Sequence, residues 1–268
     1  MRGTVFKMTN KYLRIYLLGL KNIQAYLGEL AIILFFPLEM LALFYVWKTV
    51  FEAGFLTSQF DLASLITYYV ISQLLMYLRP QISGEISNDI VHGQMSRYLV
   101  RPIMYFHALV SRILPYKTFF LVLGLIVVFT INMMFPLSLV ITPLSLLLFI
   151  VVLMLGFVID FLFAALLGAI GFWTEKIEGI QRIFYMIRSF LSGAWIPLTL
   201  LPGVITSISL VLPFQYVSFF PAMILLGNVS TSAMIDAILI ELAWIPVLLV
   251  VTSYVWKKGL KRYSGYGA

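Results

Sequence analysis

The sequence of 268 residues contains no cysteine and few charged side chains. Without cysteine there is no disulfide framework and no thiolate metal site. Charged residues make up 11% of the chain, against about 25% in soluble domains, whereas 62% of the residues are hydrophobic. A water-soluble core cannot bury that much apolar surface, so the composition predicts a membrane protein.

Sequence signatures of enzymes and nucleotide-binding proteins are also missing. The chain has neither a G-x-x-x-x-G-K-[ST] phosphate loop nor a G-x-S-x-G nucleophile elbow. Its two histidines, His92 and His107, are interpreted as incidental polar residues rather than metal ligands. We therefore expect no cofactor, metal site or catalytic residue in this chain.

The positive charges are grouped between long apolar stretches. All of the 18 Lys and Arg residues except Lys48 fall in four groups: Arg2, Lys7, Lys11, Arg14 and Lys21; Arg79, Arg97, Arg101, Arg112 and Lys117; Lys176, Arg182 and Arg188; Lys257, Lys258, Lys261 and Arg262. Basic loops of membrane proteins stay in the cytoplasm. The pattern predicts cytoplasmic termini and two cytoplasmic loops. It does not indicate nucleic-acid binding, because these charges flank apolar spans.

Six apolar stretches approach the ~20 residues that a helix needs to cross a bilayer. They are residues 29–50, 62–79, 117–136, 144–172, 183–201 and 234–256. The expected fold is therefore all-α, a single transmembrane domain of six helices spanning residues 1–268. No cleaved signal peptide is expected, since no small-residue cleavage pattern follows the first apolar run.

Two further segments complete the predicted topology. In residues 1–28, Lys7, Lys11, Arg14 and Lys21 share one helical face, which predicts an amphipathic helix at the cytoplasmic membrane surface. Residues 202–230 are apolar but interrupted by prolines. We expect them to form re-entrant helices on the outer side.

The segment 80–104 has the pattern of a cytoplasmic docking element. Ile86 and Ile90 are four residues apart, Gly93 can end their helix, and Met95, Tyr98 and Leu99 predict a second short helix. A solvated loop is the alternative, but it would not require apolar residues at helical spacing. The expected docking residues are Glu85, Ile86, Asp89, Ile90, Gly93, Met95, Tyr98, Leu99, Arg101 and Pro102.

Three motifs together resemble the six-span permease subunits of ABC type-2 exporters. The first consists of Asp89, Ile90, Gly93, Tyr98, Leu99, Arg101, Pro102 and Ile103. The second is residues 190–197 (FLSGAWIP), continuing to Leu201 and Pro202, and the third is residues 212–216 (LPFQY), continuing to Pro221 and Gly227. Their order and spacing extend the resemblance over almost the whole chain.

The resemblance implies a division of labour among subunits. The permease would pair with an identical or sister permease in the inner (plasma) membrane, and two copies of a separate ATPase subunit would bind ATP and Mg and dock beneath it. Segment 80–104 would be the coupling helix, residues 1–28 the connecting helix and segment 202–230 the outer gate. The expected substrate is an amphipathic drug, peptide or lipid.

Ionisable residues within the spans are costly and normally face protein or water. Asp160 shares a helical face with Ala164, Gly168 and Gly171, which favours close packing over a transport role. Glu39 follows Pro37 and is evenly balanced between packing and contact with a cationic substrate. Arg188 would pair with one of these carboxylates or extend to the membrane surface. Glu241 is the weakest candidate.

The expected substrate path or gate combines Glu39 with residues near the proline breaks, namely Trp195, Pro197, Pro213 and Phe214. Other classes remain open. A secondary transporter or channel without an ATPase would show a midplane ionisable site and an internal repeat. An intramembrane enzyme would need a constellation of catalytic residues at membrane depth, and a non-transporting scaffold would not need the coupling pattern.

Overall fold

The computed structural model describes residues 2–21, 27–54, 60–99 and 104–263. Side chains are described in these ranges except for residues 2–11, 27–37, 39, 40, 99 and 134. These ranges contain helices, turns and irregular connections but no strand. The prediction of an all-helical fold is therefore confirmed for the described part of the chain.

Eleven α-helices lie in the described ranges. They are α1 Arg2–Lys21, α2 Leu27–Glu52, α3 Leu62–Leu78, α4 Ser83–Val91, α5 Ser96–Leu99, α6 Tyr105–Met134, α7 Pro143–Gly168, α8 Glu178–Leu191, α9 Gly203–Val211, α10 Phe219–Leu225 and α11 Thr231–Tyr263. Short 3₁₀ helices occupy Ala169–Phe172, Leu198–Leu200 and Pro213–Val217.

Four helical segments of the described chain are long and apolar enough to cross a membrane. They are Leu62–Val91, Tyr105–Met133, Pro143–Phe172 and Thr231–Tyr263. The predicted fifth span, residues 183–201, is divided instead: α8 ends at Leu191, and Gly193 takes a left-handed conformation (φ +74°). That conformation favours glycine and ends the helix before Pro197. The six-span layout stays a prediction.

The chain forms two compact units. The first comprises Met1–Ile66 and Met95–Leu137. Within it α1 lies against α6: the Tyr12 hydroxyl accepts a hydrogen bond from the Met104 amide (3.2 Å), and the Tyr16 hydroxyl donates to Thr118 Oγ1 (3.4 Å). Gly19 lies so close to Pro115 that a Cβ there would be 2.6 Å from the ring. The predicted amphipathic helix is thus a helix tied to α6.

The second unit comprises Thr67–Gln94 and Ser138–Ala268. Its centre is α7, which packs along α11 and also contacts α4, α10 and the 3₁₀ helix Pro213–Val217. α7 begins at a capping box in which Thr142 and Ser145 exchange hydrogen bonds, with Pro143 at the first helical position, where proline is well tolerated. The contacts of α4 with α7 and the buried charges beside them all lie in this unit.

Candidate functional site

Helix α4 is packed tightly on the end of α7. A Cβ at Gly168 would lie 2.6 Å from the Cβ of Ile86 and 3.0 Å from the Ser83 carbonyl oxygen. A Cβ at Gly171, in the 3₁₀ turn that follows α7, would lie 2.8 Å from Ser87 Oγ. Glycine at both positions lets the two backbones approach closely, so α4 is seated directly on α7.

The two faces of α4 differ in exposure. Ser83, Ile86, Ser87, Asp89 and Ile90 are buried, whereas Glu85, Asn88, Val91 and His92 are exposed. The predicted docking residues Ile86 and Ile90 therefore face the interior of their own unit. The surface of α4 that is open to a partner is the other, more polar face.

A cluster of three buried charges lies below α4. Asp160 of α7 accepts a hydrogen bond from Arg188 of α8 on its Oδ1 oxygen, at 2.9 Å from Nη1. Its Oδ2 oxygen lies 3.9 Å from Nε of Arg79, which is an ion-pair distance but too long for a hydrogen bond. All three side chains are at least 96% buried. We call these residues the Asp160 cluster.

Polar contacts tie the Asp160 cluster to its surroundings. Arg79 Nη2 donates to Ser192 Oγ (2.8 Å), and the Arg188 guanidinium lies 4.9 Å from the centre of the Tyr185 ring, a cation–π geometry. The Tyr185 hydroxyl is 2.6 Å from Ser83 Oγ at the start of α4. The cluster thereby connects α4, α7, α8 and the segment after α3.

The charges in the Asp160 cluster do not balance, because two guanidinium groups share one carboxylate. Nε and Nη1 of Arg79 and Nε of Arg188 have no hydrogen-bond partner among the described residues. Buried ion pairs contribute little net stability, but removing one partner costs ~3–5 kcal/mol because a charge is then left uncompensated. Among the described residues, Asp160 is the carboxylate that pairs with both arginines, so the cluster depends on it most.

The burial of two arginines corrects the prediction that every grouped basic residue is a charge in a cytoplasmic loop. Arg79 and Arg188 are members of two of the basic groups assigned to the cytoplasm, yet both are buried ion partners of Asp160. Of the two alternatives for Arg188, pairing with a carboxylate is the one observed. The remaining basic residues still support the predicted cytoplasmic loops.

The small-residue face of α7 is occupied along its length by these contacts. Ala164 is fully buried, Gly168 and Gly171 are covered by α4, and Asp160 lies in the ion cluster. The structure thus places all four predicted packing residues on a buried face. A transport role for Asp160 stays a hypothesis.

The four predicted gate residues whose side chains are described lie in two segments of the second unit. Trp195 is 43% exposed, and its carbonyl accepts a hydrogen bond from Tyr69 (2.8 Å). Pro197 is buried. Pro213 and Phe214 are also buried, and the Phe214 ring lies 5.0 Å from that of Phe163 on α7. The 3₁₀ helix that carries them therefore packs beside α7.

The other predicted site residues are placed as follows. Gly93 has a left-handed conformation (φ +72°) after α4, as a helix-ending glycine requires. Met95 is buried and Tyr98 packs against Tyr105, both in the first unit. Glu39 and Leu99 lie in helices, but their side chains are outside the described part of the chain, as are Arg101 and Pro102 entirely.

Sequence reasoning undervalued two features of the second unit. The grouping of basic residues predicts a loop charge at Arg79, although its place directly after an apolar helix is compatible with burial. Glu241 is fully buried in α11, and its position inside an apolar stretch was the available signal. Within the described residues, no group of three or more histidine or carboxylate side chains is arranged to hold a metal ion.

Long apolar helices that bury an ion cluster define a polytopic membrane protein rather than a soluble domain. Residues 24–267 match the model of the ABC-2 family transporter proteins, and the chain belongs to this family. A comparison with curated proteins finds no match. The family identifies the chain as a membrane permease of an ABC transporter that works with an ATP-binding subunit.

Proposed function

We propose that this chain is the permease of an ATP-driven exporter that moves an amphipathic drug, peptide or lipid out of the cytoplasm. Two copies of a separate ATPase subunit would hold ATP and Mg. A second permease, identical or a sister chain, would complete the path. The assembly would lie in the inner (plasma) membrane with the termini of this chain in the cytoplasm.

The observation that carries this proposal is the seating of α4 on α7. Because Ile86 fills the space above Gly168, and Ser87 the space above Gly171, α4 has no room to slide toward α7. Packed interiors transmit displacement instead of absorbing it. A push or pull applied to the exposed face of α4 would therefore move the end of α7.

The Asp160 cluster would carry the same movement to α8. Tyr185 of α8 contacts Ser83 of α4 through their hydroxyls, and Arg188 of α8 holds Asp160 of α7. Three helices are thus linked by two polar contacts and one packing contact. Closure of the ATPase subunits on ATP would shift this group between two arrangements, inward-open and outward-open, by binding one better than the other.

Transport direction and substrate class are inferred from the family resemblance and the composition. The family resemblance favours export, and the aromatic residues, 16% of the chain, favour an amphipathic substrate over a strongly polar one. The described segments at the predicted outer side, residues 202–230, are apolar short helices and offer no polysaccharide-binding domain. An exported lipid, peptide or small amphipathic molecule fits these features.

The experiment that tests the proposal is co-purification of the tagged chain from its native membrane, with mass spectrometry of the associated proteins. We expect a soluble protein that carries a phosphate loop to co-purify in stoichiometric amount. We also expect vesicles that contain the complex to take up amphipathic dyes only when ATP is present. A chain that purifies alone and transports without ATP would indicate the secondary transporter or channel instead.

A further inference from the structure

Glu241 is a buried carboxyl group that forms no ion pair with any described residue. It lies in α11, its side chain is fully buried, and neither carboxylate oxygen has a hydrogen-bond partner among the described residues. Of the described carboxyl groups, Asp160 is equally buried but has two arginines. Among the described residues, Glu241 therefore has neither the ion pair nor the hydrogen bonds that stabilise an ionised carboxylate in a protein interior.

The carboxyl group lies where three elements meet. A Cβ at Gly156 in the middle of α7 would be 3.3 Å from Glu241 Oε1 and 3.0 Å from the carbonyl oxygen of Tyr216. The 3₁₀ helix that contains Tyr216 thus reaches the same point of α7 as Glu241 does. Any larger residue at Gly156 would separate them.

Apolar residues surround this junction above and below. On one side Val152, Ile224 and Met234 form a buried cluster with Ile238 packed against it. On the other side Ile159, Leu162 and Leu248 form a second cluster, with Trp244 and Ile245 packed against it. Glu241 occupies the turn of α11 between the two clusters.

Among the described residues, the ionisable groups on α7, on the 3₁₀ helix and within three turns of Glu241 on α11 offer no positive charge. They are Tyr216 on the 3₁₀ helix, Asp160 on α7, one turn beyond Gly156, and Asp236 on α11, which is exposed. The basic residues of α11 begin only at Lys257, more than four turns from Glu241. Arg79 and Arg188 are engaged with Asp160. An ionised carboxylate at this point would be desolvated and unpaired, which is far more costly than the neutral acid.

We propose that Glu241 is a proton-binding site that couples pH to the packing of the outer segment. The carboxyl group holds a proton while α7, α11 and the 3₁₀ helix Pro213–Val217 are in contact. When the 3₁₀ helix separates from α7, water reaches the group, the O–H bond breaks and the proton passes to water. Separation of the outer segment is then favoured by rising pH.

Infrared spectroscopy of the full chain in lipid vesicles tests the proton directly. At neutral pH we expect a carbonyl stretch of a protonated carboxylic acid, shifted by exchange into D₂O, in the wild type and in the matched control Asp236→Asn. Glu241→Gln should lack it. Absence of any such band in the wild-type protein would overturn the proposal, and this arm needs no variant to fold.

A second measurement tests the coupling. Since the chain has no cysteine, Ser218→Cys introduces a single buried thiol directly after the 3₁₀ helix. Maleimide labelling is compared with and without Glu241→Gln at each pH, so the intrinsic reactivity of the thiol cancels. The labelling rate with Glu241 present, divided by the rate with Glu241→Gln, should rise by up to about tenfold per pH unit, because opening releases one proton only when Glu241 is present. A ratio that does not change with pH would contradict the coupling.

Neither measurement involves an ATPase subunit. The proton site can therefore fail while the permease function stands, and the reverse also holds.

Discussion

Replacing Asp160 should destabilise the protein more than replacing Arg188, although both changes remove the same 2.9 Å contact. Asp160→Asn removes the carboxylate that both buried guanidinium groups share among the described residues, which we expect to cost ~3–5 kcal/mol. Arg188→Gln removes one charge-assisted hydrogen bond, worth ~1.5–3 kcal/mol. It also leaves Asp160 paired with Arg79, whose Nε is only 3.9 Å away.

The combined variant gives the sharpest form of this prediction. In the Asp160→Asn background Arg188 is an unpaired buried cation, so adding Arg188→Gln should restore part of the lost stability. When two buried residues are replaced, the two losses of stability usually add, so a second substitution normally lowers the stability further. A stabilising second substitution would therefore identify charge imbalance as the cause.

The assay is the apparent melting temperature of the purified protein in detergent, followed as the loss of monodisperse protein on heating. We expect Asp160→Asn to lower it by on the order of 10 °C and Arg188→Gln by less. The exposed substitution Glu175→Gln serves as the control and should have little effect. If Arg188→Gln were as damaging as Asp160→Asn, or if the combined variant were the least stable, the account of the cluster would be wrong.

Two further predictions concern the attachment and start of helices. Gly168→Val should force Ile86 away from α7 and abolish the stimulation of ATP hydrolysis in the assembled complex. The control Gly179→Ala adds a Cβ that meets no neighbour and should leave the stimulation unchanged. Equal ATPase stimulation in both variants would refute the attachment of α4 to α7. Asp61 accepts a hydrogen bond from the Ser64 amide (3.0 Å) at the start of α3, so Asp61→Ala should cost about 1 kcal/mol at neutral pH. Hydrogen bonding with Ser64 holds the pKa of Asp61 below its ordinary value. The stabilisation that Asp61 contributes is therefore fully present at a pH above the ordinary pKa, and it is lost as the pH falls through the lowered pKa. A difference in melting temperature between the wild type and Asp61→Ala that grows on acidification would contradict this.

The helices were largely readable from hydropathy, and the differences have local causes. Predicted residues 144–172 correspond to α7 and its 3₁₀ extension, and residues 62–79 to α3, because uninterrupted apolar runs leave few alternatives. α6 begins at Tyr105 rather than at residue 117, since its first three turns are amphipathic and carry no strong hydropathy signal. α8 ends early because of Gly193 and the residues after it.

The site was less predictable because its partners are distant in sequence. The sequence marks Asp160 as an unusual charge on a small-residue face, and the structure places that face in the interior. Nothing in the spacing indicates that Arg79 would reach it. The apolar periodicity of α4 was correct, yet periodicity does not state which surface an apolar face covers. Ile86 covers α7 and Ile90 is buried in the same unit, so neither is free for a partner.

The central claim is that the exposed face of α4 docks a cytoplasmic ATPase subunit, and a single-cysteine protection experiment tests it most directly. Asn88→Cys places a thiol on that face, and Ser232→Cys places an exposed control at the start of α11, on the predicted outer side. In intact cells, an impermeant maleimide should label only Ser232→Cys. In open membranes it should label both, and added ATPase subunit should protect only Asn88→Cys. Labelling of Asn88→Cys from outside, or its unchanged labelling in the assembled complex, would contradict the account.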